Sequence, residues 1–211
     1  MFDAIFEYSY FHWVDLPLRE EIQKDMSNWL EPAQHNYAPK RKQEYLGGRW
    51  CAIQAAKKAG VELKELPMAK DRSPLWPKGI VGSITHTHGI AMAAVSNKVR
   101  AIGIDAEKLI DEARFERIQK LIASKSEIDC FKHLAFSPTL IFSAKESLYK
   151  ALHPECKEYF GFLEATMMDI GKDSFTIKLH SEKEKVSNLN GSYTGRYYLF
   201  NDIIVSTLEL T

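Results

Sequence analysis

Residues 82–107 read "GSITHTHGIAMAAVSNKVRAIGIDAE". Gly89 and the stretch Asn97–Arg100 divide this run into "GSITH", "GIAMAAVS" and "AIGIDAE". Each piece is short, rich in small or β-branched residues and bounded by turn formers, so three successive strands are predicted. The last strand ends on Asp105 and Glu107, two residues apart. A pleated strand sends both side chains from the same face, about 6 to 7 Å apart. Two like charges so placed repel unless a cation lies between them, and hard oxygen donors suit Mg2+; on "GIDAE" alone, a strand end whose carboxylates simply face water is the favoured reading.

Working outward, "PKRKQEYLGGRWCAIQAAKKAG" reads as a helix. Pro39 stands near its start and Gly60 at its stop, with Leu46, Trp50, Ile53 and Ala56 on one face and Arg41, Tyr45 and Arg49 on a neighbouring stripe. Gly47 and Gly48 weaken such a helix by roughly 1 kcal/mol each relative to alanine, which predicts a close neighbour. Upstream, alternation of Ala4, Phe6, Tyr8 and Tyr10 predicts an opening strand, followed by a polar connection. "RSPLWPKG" is an irregular loop.

Downstream, a helix around Phe115, Ile118 and Ile122 precedes a second, capped by Ser137, with Pro138 in its first turn and its end before Pro154. "EATMMDI", "SFTIKLH" and a hairpin in "YYLFNDIIVSTLEL", turning at Asn201-Asp202, close the chain. Helix followed by strands thus occurs twice. The expected fold class is α+β, two similar lobes at residues 1–98 and 99–211, joined near Asn97 to Ala101.

Composition bounds the function. The 211 residues include 28 Lys plus Arg against 28 Asp plus Glu, so no global field favours nucleic acid or an anionic membrane, and any anion site is local. No apolar run approaches membrane-spanning length and no leader pattern opens the chain, which gives a cytoplasmic expectation. Three cysteines without a close-spaced pair suggest neither a disulfide framework nor a zinc site.

The second chemical cluster is "FSAKESLYKAL", residues 142–152, where Lys145, Glu146 and Lys150 stand among small and apolar neighbours. Glu146 and Lys150 share a face at i,i+4, and Lys145 lies about 100° round from Glu146. An i,i+4 pair is also ordinary helix decoration. Small neighbours, however, let a ligand approach, and two lysines beside one acid suit a phosphate plus a metal. In the third cluster, "RSPLWPKGIVGSITHTHG", Ser83 and Thr85 offer hydroxyls and His86 stands at a glycine-flanked strand end as a phosphate donor, with Arg41, Arg49 and Arg72 as further positive charge.

The order "RKQEYLGGRWCA", "SPLWPKGIVGSITH", "GIDAE", "FSAKESLYKALHP" closely resembles the 4′-phosphopantetheinyl transferases. The likeness is nearest to the long single-chain type that serves peptide synthetases such as the enterobactin synthetase, and it covers most of residues 41–154. It implies two lobes in a pseudo-twofold arrangement with coenzyme A in the cleft between them. It also implies transfer of phosphopantetheine to a serine of an apo acyl, aryl or peptidyl carrier protein, with release of adenosine 3′,5′-bisphosphate, in nonribosomal peptide or siderophore biosynthesis. By motif position, Asp105, Glu107 and Glu146 would hold Mg2+. Lys145, Lys150, Ser83 and His86 would meet phosphates, and Arg41, Arg49 and Arg72 would address the 3′-phosphate and adenine end. Glu146 is the expected base, with Glu107 as rival and Lys150 as charge stabiliser. Coenzyme A and the carrier are the expected partners of a monomer. The carrier's docking groove is placed at Phe115, Ile118 and Leu121 among Arg114, Arg117 and Lys120. A metal-dependent nucleotide phosphohydrolase and a noncatalytic coenzyme A-binding module are the alternative classes.

Overall fold

The computed structural model describes residues 5–30 and 32–211. It is α+β, with two antiparallel sheets. The first has strand order β1-β3-β2, from β1 (Tyr10–Asp15), β2 (Val81–Thr87) and β3 (Ile90–Ser96). The second has order β4-β8-β7-β6-β5, from β4 (Ala101–Lys108), β5 (Ala165–Ile170), β6 (Ser174–Leu179), β7 (Gly191–Phe200) and β8 (Ile203–Leu210). The described helices are α1 (Glu20–Met26), α2 (Pro39–Lys58), α3 (Glu112–Ile122), α4 (Lys125–Phe131), α5 (Ser137–Cys156) and α6 (Glu184–Ser187).

Each sheet is covered by one 20-residue helix, α2 on the first and α5 on the second. The two helix glycines of α2 answer to close approach. A Cβ on Gly47 would stand 2.7 Å from Leu16 Cδ2, and one on Gly48 2.6 Å from Ile84 Cγ2. Against the second sheet the approach is tighter still, because a Cβ on Gly103 would fall 1.8 Å from the Ser147 carbonyl oxygen. Alternation along β4 therefore sends Ile102, Ile104 and Ala106 into an apolar layer shared with Met92, Ala94 and Val205. The opposite face, with Gly103, Asp105 and Glu107, meets α5.

Some expectations shift. The opening strand begins at Tyr10, leaving Phe6 and Tyr8 before it, and the Ala4 part of that expectation lies outside the described residues. The main-chain N–H groups of Glu7 and Tyr8 donate to the Glu209 carboxylate, in place of a strand ladder. The polar connection contains α1, and the stretch between α3 and α5 contains α4. Ser137 is the first residue of α5, not its cap: Phe136 is the N-cap, and the Ser137 hydroxyl donates to the Phe131 carbonyl at 2.9 Å. Pro154 lies inside α5, where it removes one N–H in the last turn, and Lys157, at φ 52°, ends the helix three residues later. The β7–β8 hairpin turns at Asn201-Asp202, with Asn201 at φ 53°. Among the described residues no helix is long and apolar enough to cross a membrane.

Candidate active site

The site is built where β2, β4 and α5 converge. β2 pairs with β3 and β4 with β8, yet β2 and β4 lie side by side, joined by side-chain hydroxyls. Ser83 Oγ accepts the Ile104 N–H at 3.1 Å, and Thr85 Oγ1 accepts the Ala106 N–H at 3.2 Å. The same Thr85 hydroxyl donates to Asp105 Oδ1 at 3.2 Å. From α5, Lys150 Nζ donates to Asp105 Oδ1 at 2.7 Å and to the Ile104 carbonyl at 3.2 Å. Asp105 Oδ1 is thereby fixed. Its Oδ2 is buried and has no hydrogen-bond partner among the described residues. A buried carboxylate oxygen left without a donor is costly, and it marks a place for a cation.

The neighbouring acids carry the same strain. Burial, then the Asp105 charge, pushes the Glu107 carboxyl up to about 7, with Glu146 adding to the rise and Arg114 and Lys150 opposing it. Glu146 is also raised, by burial first and by Asp105, against the pull of Lys150. Three carboxyl groups therefore share one ammonium. The three do not close into a ready-made metal cluster among the described residues. Their donor chemistry nonetheless fits a hard divalent ion, with the orphaned Asp105 oxygen as the vacant ligand.

Toward the start of α2, His86 forms a second polar group. Its Nε2 lies 2.7 Å from Arg41 Nη1 and its Nδ1 3.8 Å from Glu44 Oε2, while Arg41 also pairs with Glu44 at 3.3 Å. Burial holds the His86 imidazole below its ordinary range, with Glu44 pulling the other way and Arg41 and Lys150 reinforcing the fall.

A cleft of about 470 Å³ opens between the loop carrying residues 71–76, the starts of β2 and β4, and the C-terminal half of α5. Arg72, Ser83 and Lys150 line it, with Trp76, Ile84 and Tyr149 as apolar walls. Gly82 is required beneath the tryptophan, since a Cβ there would stand 2.5 Å from the indole ring. Arg72 itself sits at φ 69°, within a tight turn in which Ser73 donates to Asp71 through both N–H and hydroxyl.

The expected residues thus divide. Asp105, Glu107, Glu146 and Lys150 influence one another directly, and Ser83 and Arg72 share the cleft with Lys150. Arg41 and His86 form the neighbouring polar group. Arg49 is buried elsewhere on α2, its guanidinium carbon 4.0 Å from the Tyr45 ring centroid. Lys145 is brought to Glu127 rather than to the cleft: the ion pair is 2.8 Å long and both side chains are 2% exposed. Burial lowers the Lys145 pKa, and Glu127 opposes the fall. Thr85, noted from the sequence only as a hydroxyl beside Ser83, proves to hold Asp105. Glu127 was not assigned from the sequence, though it carried a signal, the capping-box pattern Ser124-x-x-Glu127.

Comparison with known proteins places this geometry in context. Residues 31–96 match the 4′-phosphopantetheinyl transferase N-terminal domain, and residues 101–202 match the 4′-phosphopantetheinyl transferase superfamily. The chain is 30% identical over 183 residues to 4′-phosphopantetheinyl transferase Npt of Nocardia iowensis, covering 80% of this chain and 82% of that protein. It is 33% identical over 180 residues to enterobactin synthase component D of Escherichia coli O157:H7, covering 82% and 83%. To enterobactin synthase component D of Salmonella typhimurium it is 38% identical over 117 residues, which is 53% of this chain and 48% of that relative. The chain belongs to the 4′-phosphopantetheinyl transferase superfamily.

Proposed function

We propose that the chain transfers the phosphopantetheine arm of coenzyme A to a serine of an apo carrier protein, releasing adenosine 3′,5′-bisphosphate. The observation that carries the reading is the buried, unpartnered Asp105 Oδ2 beside two acids of raised pKa and one ammonium, next to an open cleft. Two lobes, residues 1–98 and 99–211, would bound that cleft.

Asp105, Glu107 and Glu146 would hold Mg2+, which supplies charge neutralisation for a diphosphate. Lys150, already at Asp105, faces the cleft and stabilises charge growing on the leaving bisphosphate. The Ser83 oxygen is used as an acceptor by Ile104, so its hydroxyl proton remains to donate to a phosphate. Arg72, and the Arg41 and His86 group, address the remaining phosphates. Arg49, buried against Tyr45, supports that end from within α2. Glu146 takes the proton of the carrier serine as its oxygen attacks the β-phosphorus and the bond from that phosphorus to the bridging oxygen breaks. Its raised pKa suits a base near neutral pH, and Glu107, at about 7, is the rival.

The carrier would approach along α3. There Leu121 is exposed beside Arg117 and Lys120, whereas Phe115 and Ile118 pack against the core of the second sheet. The groove expected from all three apolar residues therefore narrows to Leu121 and its basic neighbours. Two of the relatives are named enterobactin synthase component D, which supports a siderophore-type peptide synthetase as the carrier's source. The test is incubation with coenzyme A, Mg2+ and a panel of apo carriers, followed by intact-mass spectrometry. Gain of one phosphopantetheine on a carrier supports the reading. Hydrolysis of coenzyme A with every carrier unmodified contradicts it and favours a phosphohydrolase.

A further inference from the structure

Glu127 has no part in the chemistry above, yet each of its carboxylate oxygens accepts two hydrogen bonds. Oε1 accepts from Lys145 Nζ and from the Met167 N–H, both at 2.8 Å. Oε2 accepts from the Ser124 N–H at 2.8 Å and the Ser124 hydroxyl at 2.9 Å. Lys145 Nζ donates a further bond to the Ile122 carbonyl at 2.9 Å. One buried pair thus joins the last residue of α3, the first turn of α4, β5 and α5. The next residue along α5 is Glu146, and Lys145, Glu146 and Tyr149 line the same small crevice of about 80 Å³.

Stability alone is a poor reason for such a pair. Both ions are desolvated, and apolar groups of similar volume commonly replace buried pairs with no loss of stability. What a fully bonded pair supplies is a single geometry, because any rotation of α5 would strand a buried charge. We propose that Glu127 is a positioning residue for the transfer reaction: through Lys145 it fixes the rotation of α5 against α3, α4 and β5, and so holds Glu146 toward Asp105 and Glu107. The inference rests on the reading of Glu146 as base and cation ligand. It also gives the first lysine of "FSAKESLYKAL", Lys145, a partner inside the protein.

The test compares the wild-type protein, Glu127→Gln/Lys145→Met and Glu127→Asp. Transfer kinetics, coenzyme A binding by calorimetry and Mn2+ binding by electron paramagnetic resonance are measured on each. A wild-type protein that transfers nothing overturns the underlying reading of the site. Given wild-type transfer, the double variant should melt cooperatively and bind coenzyme A within about twofold of wild type. Its kcat should fall about tenfold to a hundredfold at unchanged KM for coenzyme A, the scale of a small misplacement of a catalytic group. Its Mn2+ affinity should fall as well, and Glu127→Asp should recover part of the rate. A folded double variant with wild-type kcat and Mn2+ affinity overturns the proposal and leaves the pair a staple. So does a loss of coenzyme A affinity in proportion to the loss of rate. Should the double variant fail to fold, Lys145→Arg, which keeps the charge, decides the matter: reduced kcat at unchanged KM supports the positioning role, and wild-type kcat overturns it.

Discussion

Asp105 has one oxygen fixed by Thr85 and Lys150 and the other without a donor among the described residues, and the proposed chemistry starts from that asymmetry. Glu146, one helical turn before Lys150, is the proposed base. Glu146→Gln should remove transfer to the limit of detection while coenzyme A binding and cooperative melting persist; near-wild-type turnover would take Glu146 out of the role. Glu107 supplies a pH signature. Its carboxyl is pushed from 4.5 to about 7 on folding, so in the interval between those values the unfolded chain binds fewer protons than the folded one. Stability contributed by the protonated group is complete below about 4.5 and is lost as pH rises through about 7. In EDTA the melting temperature of wild type should therefore fall across that interval more than that of Glu107→Gln, and Mg2+ should restore wild type most at the upper end. Equal pH slopes for the two proteins would contradict the assignment. Spacing alone gave two separate groups, the acids on β4 and the helix residues Lys145, Glu146 and Lys150; that they meet in one site was implied by the family resemblance. The destination of Lys145 was not legible, because neighbouring residues on a helix diverge by about 100° and sequence does not say which partner each will meet.

At the scale of elements, the close seat of α5 on β4 brings Lys150 within reach of Asp105. Gly103→Ala would put a methyl carbon into the Ser147 carbonyl, a main-chain atom that moves only if the whole helix moves. Overpacking of this kind typically costs about 1–3 kcal/mol. A lowered denaturant midpoint together with a larger fractional loss of kcat than Gly48→Ala, whose new methyl would meet the flexible Ile84 side chain, is the expected outcome. The long elements were readable because each carried its own signals: Pro39 and Gly60 around α2, the β7–β8 turn, and period-two strands. The seven-residue α1 and α4 were not, since helices that short draw their stability from tertiary packing. The onset of β1 was hidden for a related reason. Glu209, some two hundred residues away, captures the N–H groups that a strand would otherwise pair.

The whole molecule joins two sheets through hydroxyls of β2 and an apolar layer between β3, β4 and β8, and the cleft opens along that junction. With charges balanced overall, the proposed recognition of an acidic carrier would rest on a local surface, and α3 presents Arg117 and Lys120 beside exposed Leu121. Arg117→Glu should raise KM for the carrier several-fold, more at low salt than at high, and leave coenzyme A binding unchanged; an unchanged carrier KM at low salt would move the docking surface elsewhere. The proposed function turns on a divalent ion that β4 and α5 would share when coenzyme A is bound. Mn2+ titration of the coenzyme A complex, followed by electron paramagnetic resonance, addresses it directly. One tightly held equivalent in wild type, lost in both Asp105→Asn and Glu146→Gln, is the expected result. Equal Mn2+ binding by all three proteins would contradict it.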